Sequence, residues 1–268
     1  MSAEQDPGLP TLAIADGVAT VCLHRPDHMN RLHREDLLAL QAIGAQITAD
    51  LGLRAVVLRS EGRVFCSGAH LGEFGAAQAG GQAAEEPALS VPQLFEQTVD
   101  AWARVPVPVV CRLQGGVYGG ATDLALACDF RIGVRGMALR MPAARIGLHY
   151  YPSGLRRYTS RLGLAAAKRL FLLAETVPDE QLLALGFLDE LAADAAALDA
   201  RVEAFVAALA QGAPLAMRGM KRSLDDCAEG QADLAVIRER EALCAASADL
   251  REGLAAVQDK RAPRFEGR

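Results

Sequence analysis

The sequence has no excess of positive charge: 28 lysines and arginines face 33 aspartates and glutamates, a formal net charge of −5. Such a chain has no global field to draw it onto nucleic acid or an anionic membrane, so neither is expected as a partner. It also lacks any uninterrupted apolar run long enough to span a bilayer. The first ten residues, Met1 to Pro10, hold acids where a signal peptide would have a basic and then an apolar region, so a cytoplasmic location is expected. Six cysteines contain no C-x-x-C pair and no neighbouring histidine at metal-ligand spacing. Buried thiols in a reducing compartment are expected from that pattern, and no metal site. Sequence repeats and low-complexity tracts are missing too. The short basic end, Lys260 to Arg268, reads as a solvated tail.

What is present is enough chain, 268 residues and 51% apolar, to bury a large core. Thr11 to Leu23 reads as a hairpin around Asp16-Gly17, because both turn positions need positive φ. Leu37, Leu38, Leu40, Ile43 and Ile47 fit one face of a helix from Arg34 to Asp50. Ala55 to Leu58 and Val107 to Leu113 are continuous apolar runs, expected of strands covered on both faces. Gly75 to Pro92 reads as a loop, Thr122 to Cys128 as a helix, and Phe130 to Val134 with Met137 to Arg140 as a strand pair. Beyond Thr159 the pattern is mostly helical. Leu198, Val202, Phe205, Val206 and Leu209 form an apolar stripe; further helices are expected from Pro214, and from Asp233 to about Gln258. Strands alternating with helices, followed by helices alone, predict an α/β core with a helical C-terminal region.

Two segments carry chemistry. Val64-Phe65-Cys66-Ser67-Gly68-Ala69-His70-Leu71 follows a buried strand, and Gln114 to Asp123, with Gly119-Gly120, joins a strand to a helix. Small residues let a ligand approach the backbone, and free amides at a helix start suit a developing oxyanion. Each alone is no more than a tight turn that needs glycine.

Together they resemble the crotonase (enoyl-CoA hydratase/isomerase) superfamily. The ordered set is Arg25-Pro26-x-x-x-Asn30, then Phe65-Cys66-Ser67-Gly68-Ala69-x-Leu71, then Gly119-Gly120-x-x-Asp123-Leu124-x-x-x-Cys128-Asp129. The likeness continues through Pro142, Gly147 and Gly154 to Pro214-Leu215-Ala216 and Lys260-Arg261. It implies a spiral of ββα units over residues 1–205, a helical oligomerisation region over 206–268, and assembly as a homotrimer or a dimer of trimers. It implies an acyl-coenzyme A substrate with no separate cofactor, and an oxyanion hole from the backbone amides of Ala69 and Gly120. Substrate contacts are implied at Arg25, Met29, Gly68, Ala69, His70, Leu71, Gly119, Gly120, His149 and Phe265; Asp27 replaces a basic residue common in that channel.

The hydratases of this superfamily use two glutamates around one water, since general acid–base work needs two titratable groups facing one centre. Asp123 matches the first, one methylene shorter, and Ala143 falls at the second. Alanine transfers no proton, which argues against two-glutamate hydration. Substitutes lie in Gly147 to Gly154: dienoyl-CoA isomerases and a dehalogenase place an aspartate where Tyr151 falls, and a decarboxylase a tyrosine where Tyr150 falls. Catalytic candidates are thus Asp123, Tyr150, Tyr151 and His70, the last able to pair with Asp123 if the fold brings them together. His24, His28 and His33 show no ligand geometry. The expected activity is enolate stabilisation of the enoyl-CoA hydratase/isomerase type, the alternatives being an acyl-CoA isomerase or decarboxylase using Asp123 with Tyr150 or Tyr151, and a non-catalytic acyl-CoA binder.

Overall fold

The computed structural model describes residues 8–73 and 89–268. The hairpin forms as its turn chemistry requires: β1 (Thr11–Ala15) and β2 (Val18–Leu23) run antiparallel, with φ of 51° at Asp16 and 75° at Gly17. In α1 (Arg34–Ala49) the residues Leu37, Leu40, Ile43 and Ile47 are buried together. Leu38, expected on the same face, is 47% exposed, because its position is rotated away from the stripe its neighbours share.

β3 (Ala55–Ser60) and β4 (Val64–Cys66) come next. Of the expected loop Gly75 to Pro92, residues 75–88 lie outside the described residues. Its last two residues open α2 (Val91–Ala103), a helix that the sequence reading missed. The start signal was there: Ser90 and Gln93 make a capping box, and Leu94, Phe95, Val99 and Trp102 face the core. Trp102 donates its indole N–H to the Leu40 carbonyl at 3.2 Å, tying α2 to α1.

The chain then passes through β5 (Val109–Leu113), β6 (Gly116–Tyr118) and α3 (Ala121–Ala127) to β7 (Phe130–Val134), β8 (Ala138–Arg140) and α4 (Pro152–Lys168). β9 (Val177–Pro178), α5 (Asp179–Ala184) and β10 (Glu190–Ala192) interrupt the region expected to be helical. Four helices close the chain: α6 (Ala195–Ala210), α7 (Pro214–Ala228), α8 (Leu234–Ala245) and α9 (Ala248–Gln258). The single helix expected from Asp233 to Gln258 is two, because Ser247 accepts from the Leu250 amide and starts a new helix.

Two sheets share these strands. The larger runs β1-β2-β3-β5-β7-β10 and the smaller β4-β6-β8-β9. β3, β5 and β7 enter the large sheet in parallel, and the strand after each enters the small one. That alternation, with a helix after each pair, is the spiral of ββα units. It also corrects one expectation: β7 and β8 are consecutive but do not pair, since Gly136 turns β8 into the other sheet.

The stripe of α6 covers the large sheet, Leu198 and Val202 packing with Val57, Val110 and Ile132. Each such side chain contributes roughly 1.5–3 kcal/mol on full burial. The expected boundary between residues 205 and 206 falls inside this helix. Cys22, Cys66, Cys111 and Cys128 are buried thiols, whereas Cys227 is exposed and Cys244 half-buried. Among the described residues no helix is long and apolar enough to cross a membrane.

Candidate active site

Two turns, one from each of two successive ββα units, meet at the small sheet. Gly68 has φ of 88°, and a Cβ there would lie 2.7 Å from the Gly120 amide nitrogen and 2.9 Å from the Tyr118 carbonyl. Only glycine allows these backbones to come so close. Leu32 fixes the first turn: it donates to the Gly68 carbonyl at 2.8 Å, and its own carbonyl accepts from His70 at 2.8 Å. The Ala69 amide is left between those two bonds. Gly120 precedes α3, where its carbonyl takes the amides of Asp123 and Leu124. Among the described residues the amides of Ala69 and Gly120 have no hydrogen-bond acceptor.

Both residues line a cavity of about 300 Å³. Its wall is largely apolar, with Leu71, Phe95, Met141, Ala143, Ile146 and Leu148. Tyr150 and Tyr151 complete it, their rings stacked 4.3 Å apart. Other polar residues on the wall are Ser67, Gln93, Glu96, Tyr118 and His149. Glu96, on α2, accepts from the Ser153 hydroxyl at 3.1 Å. The Nδ1–H of His149 donates to the Tyr150 carbonyl at 2.9 Å, which leaves Nε2 as its free nitrogen in the neutral ring.

Asp123 lies behind this wall with no exposed surface. Arg157 approaches its Oδ1 at 2.7 Å, and the Tyr151 hydroxyl donates to its Oδ2 at 2.5 Å. Asp100 holds the other side of Arg157 at 2.7 Å. Burial raises the Asp123 pKa above the usual carboxylate range, while Arg157 and the bond from Tyr151 pull against that rise. Burial opposes the Arg157 charge, but Asp123 more than offsets it and holds the guanidinium charged. Tyr151 is pushed well above the usual phenol range, first by burial and then by the Asp123 charge; Tyr150 shifts the same way for the same reasons. Both phenols are therefore protonated near neutrality. Tyr150 donates to the Tyr151 oxygen at 3.3 Å, so the hydroxyls form a chain ending on Asp123.

Of the residues anticipated from sequence, Ala69, Leu71, Gly119, Gly120, His149, Tyr150 and Tyr151 line the cavity. Gly68 shapes it from behind. The others do not line it. Arg25 binds Asp36 through Nε at 3.1 Å and Glu35 at 2.5 Å. Met29 is half-exposed. Phe265 packs over Gly253, in the C-terminal region. His70 does not pair with Asp123: its Nδ1 lies 3.2 Å from Glu73 Oε1, and the His33 Nδ1 meets the same oxygen at 2.7 Å. His33, whose sequence context shows no ligand geometry, thus meets Glu73 forty residues on, and its ring centroid lies 4.4 Å from that of His70. Glu96 and Arg157 went unnoticed. Glu96 was readable only once α2 was recognised, and Arg157 carried no local signal.

The Enoyl-CoA hydratase/isomerase family matches residues 13–268. The chain is 30% identical to the 1,2-epoxyphenylacetyl-CoA isomerase of Escherichia coli K12, over 95% of this chain and 97% of that one. It is likewise 30% identical to the mitochondrial enoyl-CoA hydratase domain-containing protein 2 of Bos taurus, over 94% of this chain and 85% of the relative. Among solved structures it resembles an enoyl-CoA hydratase/carnithine racemase from Magnetospirillum magneticum, with a TM-score of 0.87, 27% identity, and coverage of 99% and 97% of the two chains.

Proposed function

The chain belongs to the enoyl-CoA hydratase/isomerase family, and on that premise we propose that it forms a thioester enolate from an acyl-coenzyme A, with the oxyanion on the amides of Ala69 and Gly120. The observation that carries this reading is the pair of acceptor-free amides converging on one largely apolar cavity. A thioester carbonyl seated there gains negative charge as its α-carbon loses a proton, and fixed donors stabilise that charge without reorganising. The apolar wall suits an acyl chain, and coenzyme A enters as part of the substrate.

The proton moves through Tyr151. Its oxygen accepts the proton from the α-carbon as its own proton passes to Oδ2 of Asp123. Asp123 thus acts through Tyr151 and never touches the substrate; Arg157 fixes its orientation. Return of the proton to the γ-carbon instead of the α-carbon shifts the double bond. One relay suffices for that isomerisation, which fits the lack of a titratable group at Ala143.

A second reading, hydration, is favoured by Glu96. Glu96 lines the cavity from α2, where its carboxylate accepts from Ser153, and it can activate a water there. The exposed apolar residues Leu224, Leu234, Leu243 and Leu254 of α7 to α9 are consistent with the trimer that the family resemblance implies.

The test is mass spectrometry of 2-enoyl, 3-enoyl, dienoyl and malonyl-type thioesters incubated with the protein in deuterated water. Deuterium uptake at the carbons flanking the double bond supports the relay, and addition of water supports hydration. Loss of carbon dioxide from the malonyl-type thioester would replace the relay with decarboxylation, and binding of the thioesters with none of these changes would reject the enzymatic reading in favour of a non-catalytic acyl-CoA binder.

A further inference from the structure

We propose that His33, His70 and Glu73 form a site for one divalent transition-metal ion of the Zn²⁺ type. His33 lies at the N-cap of α1, while His70 and Glu73 come from the turn that follows Ala69. One donor atom from each lies within 4.8 Å of the other two. The two imidazole Nδ1 atoms approach the same carboxylate oxygen, at 2.7 and 3.2 Å, and the ring centroids are 4.4 Å apart. Ligand atoms about 2.0–2.1 Å from a tetrahedral ion are themselves separated by roughly 3.3 Å, so two edges of the polyhedron are nearly in place. The third closes by rotation of the rings, which are partly exposed at 20% and 29%.

The donor set is two neutral nitrogens and one anionic oxygen, a combination suited to borderline ions such as Zn²⁺, Ni²⁺ or Co²⁺ and poorly to Ca²⁺ or Mg²⁺. Ligation through Nδ1 needs each neutral imidazole to carry its proton on Nε2. This is a change of tautomer with no net proton loss. At His33 it displaces a contact of 3.3 Å from the Arg31 Nε–H. The second carboxylate oxygen of Glu73 keeps its bond from the Arg34 amide at 3.0 Å, which orients the group as an outer partner does in a metal site.

Another cluster, Cys22, His24 and Glu61, is less prepared. There the His24 Nε2 is taken by the Thr11 hydroxyl at 2.6 Å, and burial pushes the Cys22 thiol up, against the thiolate a metal requires.

An ion at His33, His70 and Glu73 would tie the start of α1 to the turn beside Ala69, adding a brace to the segment that carries that amide. The site itself requires no particular reaction in the cavity, so it stands or falls separately from the proposed function.

The experiment is equilibrium dialysis of chelator-treated protein against Zn²⁺, with thermal unfolding read in parallel. The expected result is one ion per chain at the tightest site and a melting temperature that rises with Zn²⁺. His70→Ala and Glu73→Gln should each weaken that binding at least tenfold and abolish the thermal shift, while His24→Ala leaves both unchanged. Should the variants unfold, Co²⁺ added to the unaltered protein gives the answer by proton NMR: ring signals of two of the five histidines shift first. Binding unchanged by His70→Ala and Glu73→Gln, loss through His24→Ala, or shifts spread over all five histidines would overturn the site.

Discussion

Tyr151, which lines the cavity, donates its phenolic proton to Oδ2 of the buried Asp123 at 2.5 Å. In the proposed relay, Asp123 has a different task from a carboxylate that faces substrate directly. Arg157 at 2.7 Å, braced by Asp100, keeps the acceptor end of the pair in place.

Removing the relay should slow turnover far more than it weakens binding. Tyr151→Phe keeps the ring and its stacking on Tyr150 but deletes the oxygen that would exchange the proton in the proposed relay. Loss of one positioned acid–base group costs about 10²- to 10⁴-fold. Steady-state kinetics should show that fall in kcat with KM little changed, and Asp123→Asn should lose a comparable factor. A rise in KM alone would mean that Tyr151 only walls the cavity.

The pH profile of turnover should have an acid limb set by Asp123. Burial raises the pKa of this carboxyl, so its protonated form persists to higher pH than in an exposed aspartate. Only the carboxylate can take the Tyr151 proton. The rate therefore falls as pH drops through a value above the ordinary 3.8. In Asp123→Asn the residual rate should show no such limb.

Gly68→Ala should damage the site without touching any side chain in it. The added Cβ would fall 2.7 Å from the Gly120 nitrogen, and φ of 88° is strained for alanine. Backbone strain of this kind costs on the order of 1–3 kcal/mol, seen in a denaturant melt. Turnover should fall more steeply than stability alone explains, because the two amides are pushed apart.

Glu96→Gln separates the two reactions. If Glu96 activates water, the substitution removes hydration while leaving deuterium exchange through Tyr151 intact. If both activities fall together in paired assays, Glu96 serves the relay or the shape of the wall.

The α/β core is legible because its signals are local, whereas the spiral of ββα units follows from the family resemblance. Asp16-Gly17 marks a hairpin, the runs from Ala55 and Val107 mark covered strands, and the Gly68 and Gly119-Gly120 motifs sit where strands end. β9 and β10, two and three residues long, are held by sheet neighbours and carry too few residues to show a period. α2 was hidden by the alanine- and glycine-rich stretch before it, although its capping box was present. The contacts that define the site are long-range. Arg157 reaches Asp123 across 34 residues and His33 meets Glu73 across 40, and no sequence spacing marks either pair. Asp123 could be named from its motif, but its shielding by Tyr151 is a property of packing.

The most direct measurement is difference infrared spectroscopy of an acyl-CoA labelled with ¹³C at the thioester carbonyl and bound to the protein. On the proposed reading, backbone donors at Ala69 and Gly120 polarise the carbonyl, so its stretch should move to lower frequency than in water, and Gly68→Ala should reverse most of that shift. A bound thioester whose carbonyl stretch matches that of the free compound in water, unchanged by Gly68→Ala, would contradict the assignment of these amides.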